Sequence, residues 1–340
     1  MSGWWWGNRR ALASVVSAAG VAAAIAFALL EAVPAAIGAP VGSGVTVPGS
    51  QAQQAQRFWT PARMERARPL DGHGFGGARV APGGPGGSAA ETPHRRPAAA
   101  PVGGASSSSL FETVPDPTEL ATRQNGVIFI ELPFGLARCS GTSVNSPNFS
   151  VVFTAGHCVN EGGSHGEWLD HRWVFVPGYR YGQRPFGVFP AKWIDTTSQW
   201  RSSGSENFDI GAAVVGPNER GELLGKAVGG AGIAWGLKAR QVFDVHGYPV
   251  APPFDGETQQ VCKQTPFLGH DARSFLSPGP LNLAVDCNVT GGASGGGWTI
   301  SGDTLNSVTN YGYPDDPATD FGAYFGKEAG RLFHRAASVR

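Results

Sequence analysis

His157, Asp209 and Ser294 are the residues of this chain whose types and surroundings suit covalent chemistry. They lie in Thr154-Ala155-Gly156-His157-Cys158, in Asn207-Phe208-Asp209-Ile210 and in Thr290-Gly291-Gly292-Ala293-Ser294-Gly295-Gly296-Gly297. A serine hydroxyl is a poor nucleophile until an imidazole accepts its proton, and the imidazole needs a carboxylate to fix its tautomer and stabilise its cation. His157 suits the base, because Ala155 and Gly156 permit close packing behind the ring and Cys158 can anchor the loop. Asp170, Asp195 and Asp244 compete with Asp209 for the carboxylate role. Asp209 is preferred because it opens the apolar run Ile210 to Val215, which would hold it partly desolvated at a strand end. Asp195, followed by Thr196-Thr197-Ser198, reads instead as accepting backbone hydrogen bonds in a turn. Glycines around Ser294 let the backbone turn tightly and aim N–H groups at a developing oxyanion.

Positioning these groups falls to short strands. Beyond residue 124, apolar runs are separated by Gly, Pro, Asn and Ser, and strands are expected at 126–132, 150–154, 173–176, 210–215, 240–247 and 281–285. One helix is expected, at the end, over Gly326 to Ala337. Many short strands with turn signals favour an antiparallel sandwich or barrel over alternating βαβ units.

With the motifs in the order His, Asp, Ser, the stretch from about Gln124 to about Phe333 resembles the secreted, chymotrypsin-like serine peptidases, closest to the bacterial branch that includes the glutamyl endopeptidases. The resemblance implies an all-β fold of two six-stranded antiparallel barrels with a short C-terminal helix, preceded by a disordered N-terminal region. The peptidase domain would occupy 121–340, its barrels meeting near residue 225, with His157 and Asp209 in the first and Ser294 in the second. The implied activity is endoproteolysis by a monomer on protein or peptide substrates, through an acyl-enzyme on Ser294 and with neither cofactor nor metal. By the same match the oxyanion donors are the N–H groups of Gly292 and Ser294. Ala293 stands where trypsin-like digestive enzymes carry an aspartate that captures the freshly cut N-terminus, so maturation here should unmask the cleft rather than reshape it. The base of the primary pocket falls on Asn288 and its wall on about Val308 to Gly312. Asn288 is uncharged, and Thr309-Asn310-Tyr311 stand where glutamyl endopeptidases place a histidine. Medium-sized uncharged side chains are therefore the expected substrates.

Two other readings compete. Gly292-Ala293-Ser294-Gly295-Gly296 also fits the nucleophile elbow of α/β-hydrolase esterases, with Asp320 and His334 following in order, but Gly296-Gly297-Trp298-Thr299 is no helix start. A non-catalytic secreted binding protein of the same fold is the second alternative.

The 26 basic and 26 acidic residues balance, so no net field draws nucleic acid or an anionic membrane. Ala11 to Leu30 carry no charge and follow Arg9-Arg10, which makes residues 1–39 an export signal, or a membrane anchor if uncleaved. Secretion is the expected fate. Residues 40–120 read as a low-complexity pro-region or linker, too rich in Gly, Ala, Pro, Ser and Gln to bury an apolar core over most of its length. One island, Phe58 to Ala67, could begin a short helix with Thr60 as N-cap and Pro61 in its first position. It is similar to the Trp-Thr-Pro stretch in pro-regions of related bacterial peptidases. Four cysteines in an exported chain make two disulfides the default. Three pairings are open, of which Cys139 with Cys158 and Cys262 with Cys287 are the local ones. The resemblance implies the first of these.

Overall fold

Val127-Ile128-Phe129-Ile130 and Val174-Phe175-Val176 place β-branched and aromatic side chains on both faces of an extended chain, which suits strands covered on both sides. In the computed structural model, which describes residues 44–70, 111–120, 122–274, 279–288 and 290–340, both runs are buried strands. The expected signal or anchor at 1–39 and the linker stretch 71–110 lie outside the described residues.

An N-terminal strap comes first: β1 (Val45–Thr46), α1 (Gly49–Phe58), α2 (Pro61–Met64) and β2 (Arg68–Pro69). The chain is described again from Phe111, with β3 (Glu112–Thr113). The first barrel comprises β4 (Asn125–Leu132), β5 (Gly135–Val144), β6 (Val151–Thr154), β7 (Val174–Pro177), β8 (Phe189–Thr196) and β9 (Gly211–Val215), with α3 (Ser198–Ser203) between the last two. Its antiparallel order is β7-β4-β5-β6-β9-β8, closed by β8 on β7. After α4 (Leu224–Val228) and β10 (Gly232–Ile233) comes the second barrel. It contains β11 (Val242–Gly247), β12 (Gln260–His270), β13 (Leu283–Asp286), β14 (Gly297–Ile300), β15 (Thr304–Tyr313) and β16 (Asp316–Gly322). The order is β11-β12-β13-β16-β15-β14, closed by β14 on β11. Each expected strand lies within two residues of an observed one, as does the terminal helix α5 (Lys327–Ser338). Ser294 precedes a strand, β14, and the six strands of each barrel pair antiparallel, so among the described residues this serine lacks the following helix and the parallel sheet that an esterase elbow requires.

Helix α5 returns to the first barrel. Its Ala329, Leu332 and Ala336 pack in one cluster with Phe153, Trp193 and Val214 of that barrel and Leu305 and Val308 of the second. Arg335 on this helix binds Asp195 through Nε at 2.7 Å. This corrects the turn expected at Asp195, which instead ends a strand as a fully buried carboxylate neutralised by a guanidinium.

Residues 44–70 also differ from the low-complexity expectation. β1 pairs antiparallel with β8 and β2 pairs parallel with β5. Ala55, Trp59, Met64 and Ala67 pack into the Val127, Phe129, Val174 and Val176 side of the first barrel. The Trp59 indole N–H donates to the Arg172 carbonyl at 2.6 Å. The cap expected at α2 is formed, with Pro61 in the first position and the Thr60 hydroxyl accepting from the Arg63 N–H.

Candidate active site

Strand β6 delivers the histidine through a single 3-10 turn at Gly156–Cys158. Residue 156 must be small, because a Cβ there would stand 2.8 Å from both Asp209 Oδ1 and Thr196 Oγ1. With none present, the His157 backbone N–H donates to Asp209 Oδ1 at 2.7 Å and ring Nδ1 lies 2.7 Å from Oδ2. A carboxylate in that position makes Nδ1 the protonated nitrogen and leaves Nε2 its lone pair. Asp209 is only 3% exposed, at the mouth of β9, so its charge acts in a poorly screened setting. Glu206, three residues earlier, is pushed above the usual carboxylate range by burial first and then by Asp209 and Asp271.

The serine sits in the turn between β13 and β14. Gly292 has φ +98°, and a Cβ there would meet the Tyr248 carbonyl at 2.7 Å and Val250 Cγ2 at 2.6 Å, so only glycine fits. Among the described residues, the N–H groups of Gly292 and Ser294 donate to no protein acceptor, whereas those of Ala293, Gly295 and Gly296 are all used. Ser294 Oγ and His157 Nε2 are both buried and lack partners, and they do not bond each other.

Cys139 and Ser140 tie the two loops together. Cys139 forms a disulfide with Cys158, next to His157. The Ser140 N–H donates to the Ser294 carbonyl at 2.7 Å. Its hydroxyl donates to the Gly292 carbonyl at 2.8 Å and accepts from the Tyr248 N–H at 3.0 Å. Thr154, just before the histidine turn, donates to the Ser140 carbonyl at 2.8 Å, and a side chain on Gly295 would collide with that threonine hydroxyl. The serine loop therefore lies against the segment that carries His157. The second disulfide joins Cys262 of β12 to Cys287, so both local pairings form. Nitrogen of His157 and sulfur of Cys139 and Cys158 lie within 4.8 Å of one another, but the disulfide takes both sulfurs and leaves no thiolate for a metal.

The four expected pocket residues differ in what they offer. Asn288 Oδ1 accepts the Phe111 N–H at 2.9 Å, so the chain re-enters at the position expected for the pocket base. Thr309 is fully buried, its hydroxyl accepting from Trp298 Nε1 at 2.9 Å and donating to Asp320 Oδ2 at 2.8 Å. Asn310 is buried with Nδ2 donating to the Glu206 carbonyl at 3.4 Å and Oδ1 unpartnered. The Tyr311 ring stacks on Phe321 and its hydroxyl donates to Asp271 Oδ2 at 2.7 Å, which locks it into packing; burial raises its pKa. Sequence reasoning missed Ser140 and weighed Asp320 only as the acid of an esterase. The first is an ordinary small residue in a strand. The second lies in the turn-like run Pro314-Asp315-Asp316-Pro317 to Asp320, where acids are usually solvated.

No family model and no curated protein matches the sequence. Solved structures do match. The protease Anisep from Arthrobacter nicotinovorans is 33% identical, the match covering 65% of this chain and 99% of that one with a TM-score of 0.58. The thermostable serine protease AL20 from an extremophilic microorganism is 31% identical over 65% of this chain and 100% of its own, with a TM-score of 0.59. A Glu endopeptidase shares the fold at 16% identity, over 67% of this chain and 97% of that one, with a TM-score of 0.52. At 33% and 31% identity over almost the whole of two such enzymes, and with two closed six-stranded barrels of its own, the chain belongs to the serine proteases of the chymotrypsin/trypsin fold.

Proposed function

We propose that the protein is an exported, monomeric serine endopeptidase that cleaves peptide bonds through an acyl-enzyme on Ser294. The observation that carries this reading is the His157–Asp209 pair. With Nδ1 committed to Oδ2 at 2.7 Å, Nε2 is a buried proton acceptor, and the Ser294 hydroxyl on the adjoining loop has no other partner. Nε2 takes the hydroxyl proton as Oγ bonds to the scissile carbonyl carbon, whose π electrons move onto oxygen. The N–H groups of Gly292 and Ser294 receive that oxyanion. His157 then gives the proton to the leaving amine as the C–N bond breaks, and water repeats the sequence to free the acid. Asp209 holds the tautomer and offsets the imidazolium charge.

Export rests on the uncharged Ala11 to Leu30 run behind Arg9-Arg10 and on two disulfides, with a cleaved signal or a retained anchor as its two forms. As a pro-region, the strap acts by stabilising rather than by plugging the crevice. Among the described residues its hydrogen bonds run to barrel-one partners such as Val188, Arg172 and Arg138, and none reaches His157, Asp209 or Ser294.

A serine-directed phosphonate should form a covalent adduct at Ser294 and stop peptide hydrolysis, and Ser294→Ala should abolish turnover in a folded protein. The unmade bond between Nε2 and Oγ suits a non-catalytic binding protein of the same fold. Catalytic hydrogen bonds often tighten only when substrate fills the site, which keeps the enzyme reading ahead. A folded, processed protein that takes no adduct would establish the binding protein instead.

A further inference from the structure

Arg138 is the one arginine almost wholly removed from solvent among the described residues, and the chemistry at Ser294 does not use it. It lies on β5, two residues before Ser140. Both of its terminal nitrogens cross to the loop between β11 and β12 of the second barrel. Nη1 pairs with Glu257 Oε1 at 3.0 Å, and Nη2 donates to the Gly256 carbonyl. The other Glu257 oxygen accepts the Tyr179 hydroxyl at 2.6 Å, and the Glu257 carbonyl accepts the Tyr181 N–H at 3.0 Å. The guanidinium also lies over the rings of Phe129 and Tyr179, at 5.3 and 5.5 Å from their centroids. Taking such a group out of water is costly even when it is paired, and an apolar side chain of similar volume would fill the same space without that cost. A buried pair kept at this place suits a role in geometry better than one in stability.

The geometry within its reach is that of the loop 248–257, which backs the turn before Ser294. The near end of this loop is bonded to that turn. The Val250 N–H donates to the Gly291 carbonyl at 2.8 Å, and the Tyr248 N–H donates to the Ser140 hydroxyl, which donates in turn to the Gly292 carbonyl. The far end is Gly256–Glu257, held by Arg138. One side chain joins the two ends. A Cβ on Gly256 would stand 2.8 Å from Val250 Cγ2, and a Cβ on Gly292 would stand 2.6 Å from the same atom. Val250 is thus wedged between the glycine that Arg138 holds and the glycine whose N–H is assigned to the oxyanion.

We propose that Arg138 and Glu257 are positioning residues for the oxyanion donors: their pairing across the two barrels presses Val250 against Gly292 and so aims the Gly292 N–H. This rests on the serine-protease reading of the Ser294 site. Neither residue touches the reacting atoms. With Glu257 neutral, Arg138 keeps its charge without a counter-ion, and its hold on Gly256 slackens. Val250 then recedes and the Gly292 N–H loses its direction, while the His157–Asp209 pair, carried by other elements, keeps its geometry. The competing role is that of a staple, which joins the barrels and leaves the turn where it is.

In the full chain, Glu257→Gln should lower kcat on the best-cleaved peptide of a mixed library by about 100-fold, the low end of what losing one oxyanion donor costs, with KM little changed. The acid limb of the pH profile, which reports His157, should not move. A phosphonyl oxygen needs the same N–H donors, so adduct formation at Ser294 should slow as well. The double variant Arg138→Met/Glu257→Gln leaves no unpaired charge. It should recover the urea-unfolding midpoint lost in the single variant, yet its kcat should stay low. A kcat that recovers with the midpoint, or one that Glu257→Gln never lowered, overturns the proposal and makes the pair a staple. If either variant does not fold, hydrogen exchange of the wild type read by mass spectrometry decides. Segments 248–257 and 290–297 should open together, and a loop that exchanges while 290–297 stays protected overturns the proposal. A wild type that takes no phosphonate at Ser294 fails the protease reading and this proposal with it, whereas wild-type adduct rates in both variants fail the proposal alone.

Discussion

The two barrels differ in how they settle buried charge. In the first, Asp195 and Arg138 end in ion pairs with Arg335 and Glu257, and Asp209 is hydrogen-bonded to His157. In the second and its loops, Asn282, Thr290, Ser294, Asn310 and Asp320 each leave a buried oxygen unmatched. An unmatched buried oxygen costs roughly 1–3 kcal/mol, and folded proteins keep few of them. The contrast lies in buried charge alone, since Asn125 Nδ2 and Arg138 Nε of the first barrel are unmatched too; it describes a holding barrel, which fixes the geometry of the base, beside a receiving one, which carries the nucleophile.

Removing the charge that fixes the base should have the largest effect. Asp209→Asn should lower kcat by about 10,000-fold, because an amide can hold the ring in the wrong tautomer. Kinetics on a peptide substrate would measure it, and a loss below tenfold would move the positioning role elsewhere. Next comes the shell of the holding barrel. Trp59→Ala should destabilise the fold by about 3–5 kcal/mol in urea unfolding, with kcat unchanged below the transition. Activity lost before unfolding would mean that the strap shapes the site directly.

A smaller effect tests the receiving barrel. His246, on β11 behind the serine loop, is pushed down from 6.5 to about 4, by burial first and then by Lys263, with Asp244 opposing. The unfolded chain therefore takes up this proton first. Stability from this residue is complete above about pH 6.5 and should fall by about 3 kcal/mol as the pH drops towards 4. Chemical denaturation across that window, with His246→Gln as the reference, checks it; equal slopes would show that the ring is not held neutral.

The parts of the fold legible in the sequence were those whose interior faces are apolar. β4, β6, β7 and β9 are runs of Val, Ile, Phe and Ala, and they stand out. β5, β15 and β16 bury Ser140, Thr142, Thr309 and Asp320 instead, and a polar residue inside a barrel looks like a loop residue until its partner across the sheet is known. The His157 and Asp209 contexts could be read because glycine and an apolar strand are local requirements of that pairing. The strap was hidden for another reason. Ala52, Ala55 and Trp59 recur at helical spacing, but among so many glutamines that only the waiting face of the first barrel explains their burial.

Leu70 and Phe111 are each fastened by their own backbone N–H, the first to the Arg138 carbonyl at 2.9 Å and the second to Asn288 Oδ1 at 2.9 Å. Continuity of the peptide between these moorings is thus not what keeps either end in place. A scission there would give two bands under denaturing electrophoresis and a single migrating species under native conditions, with the smaller fragment retained as an interlocked accessory of the larger.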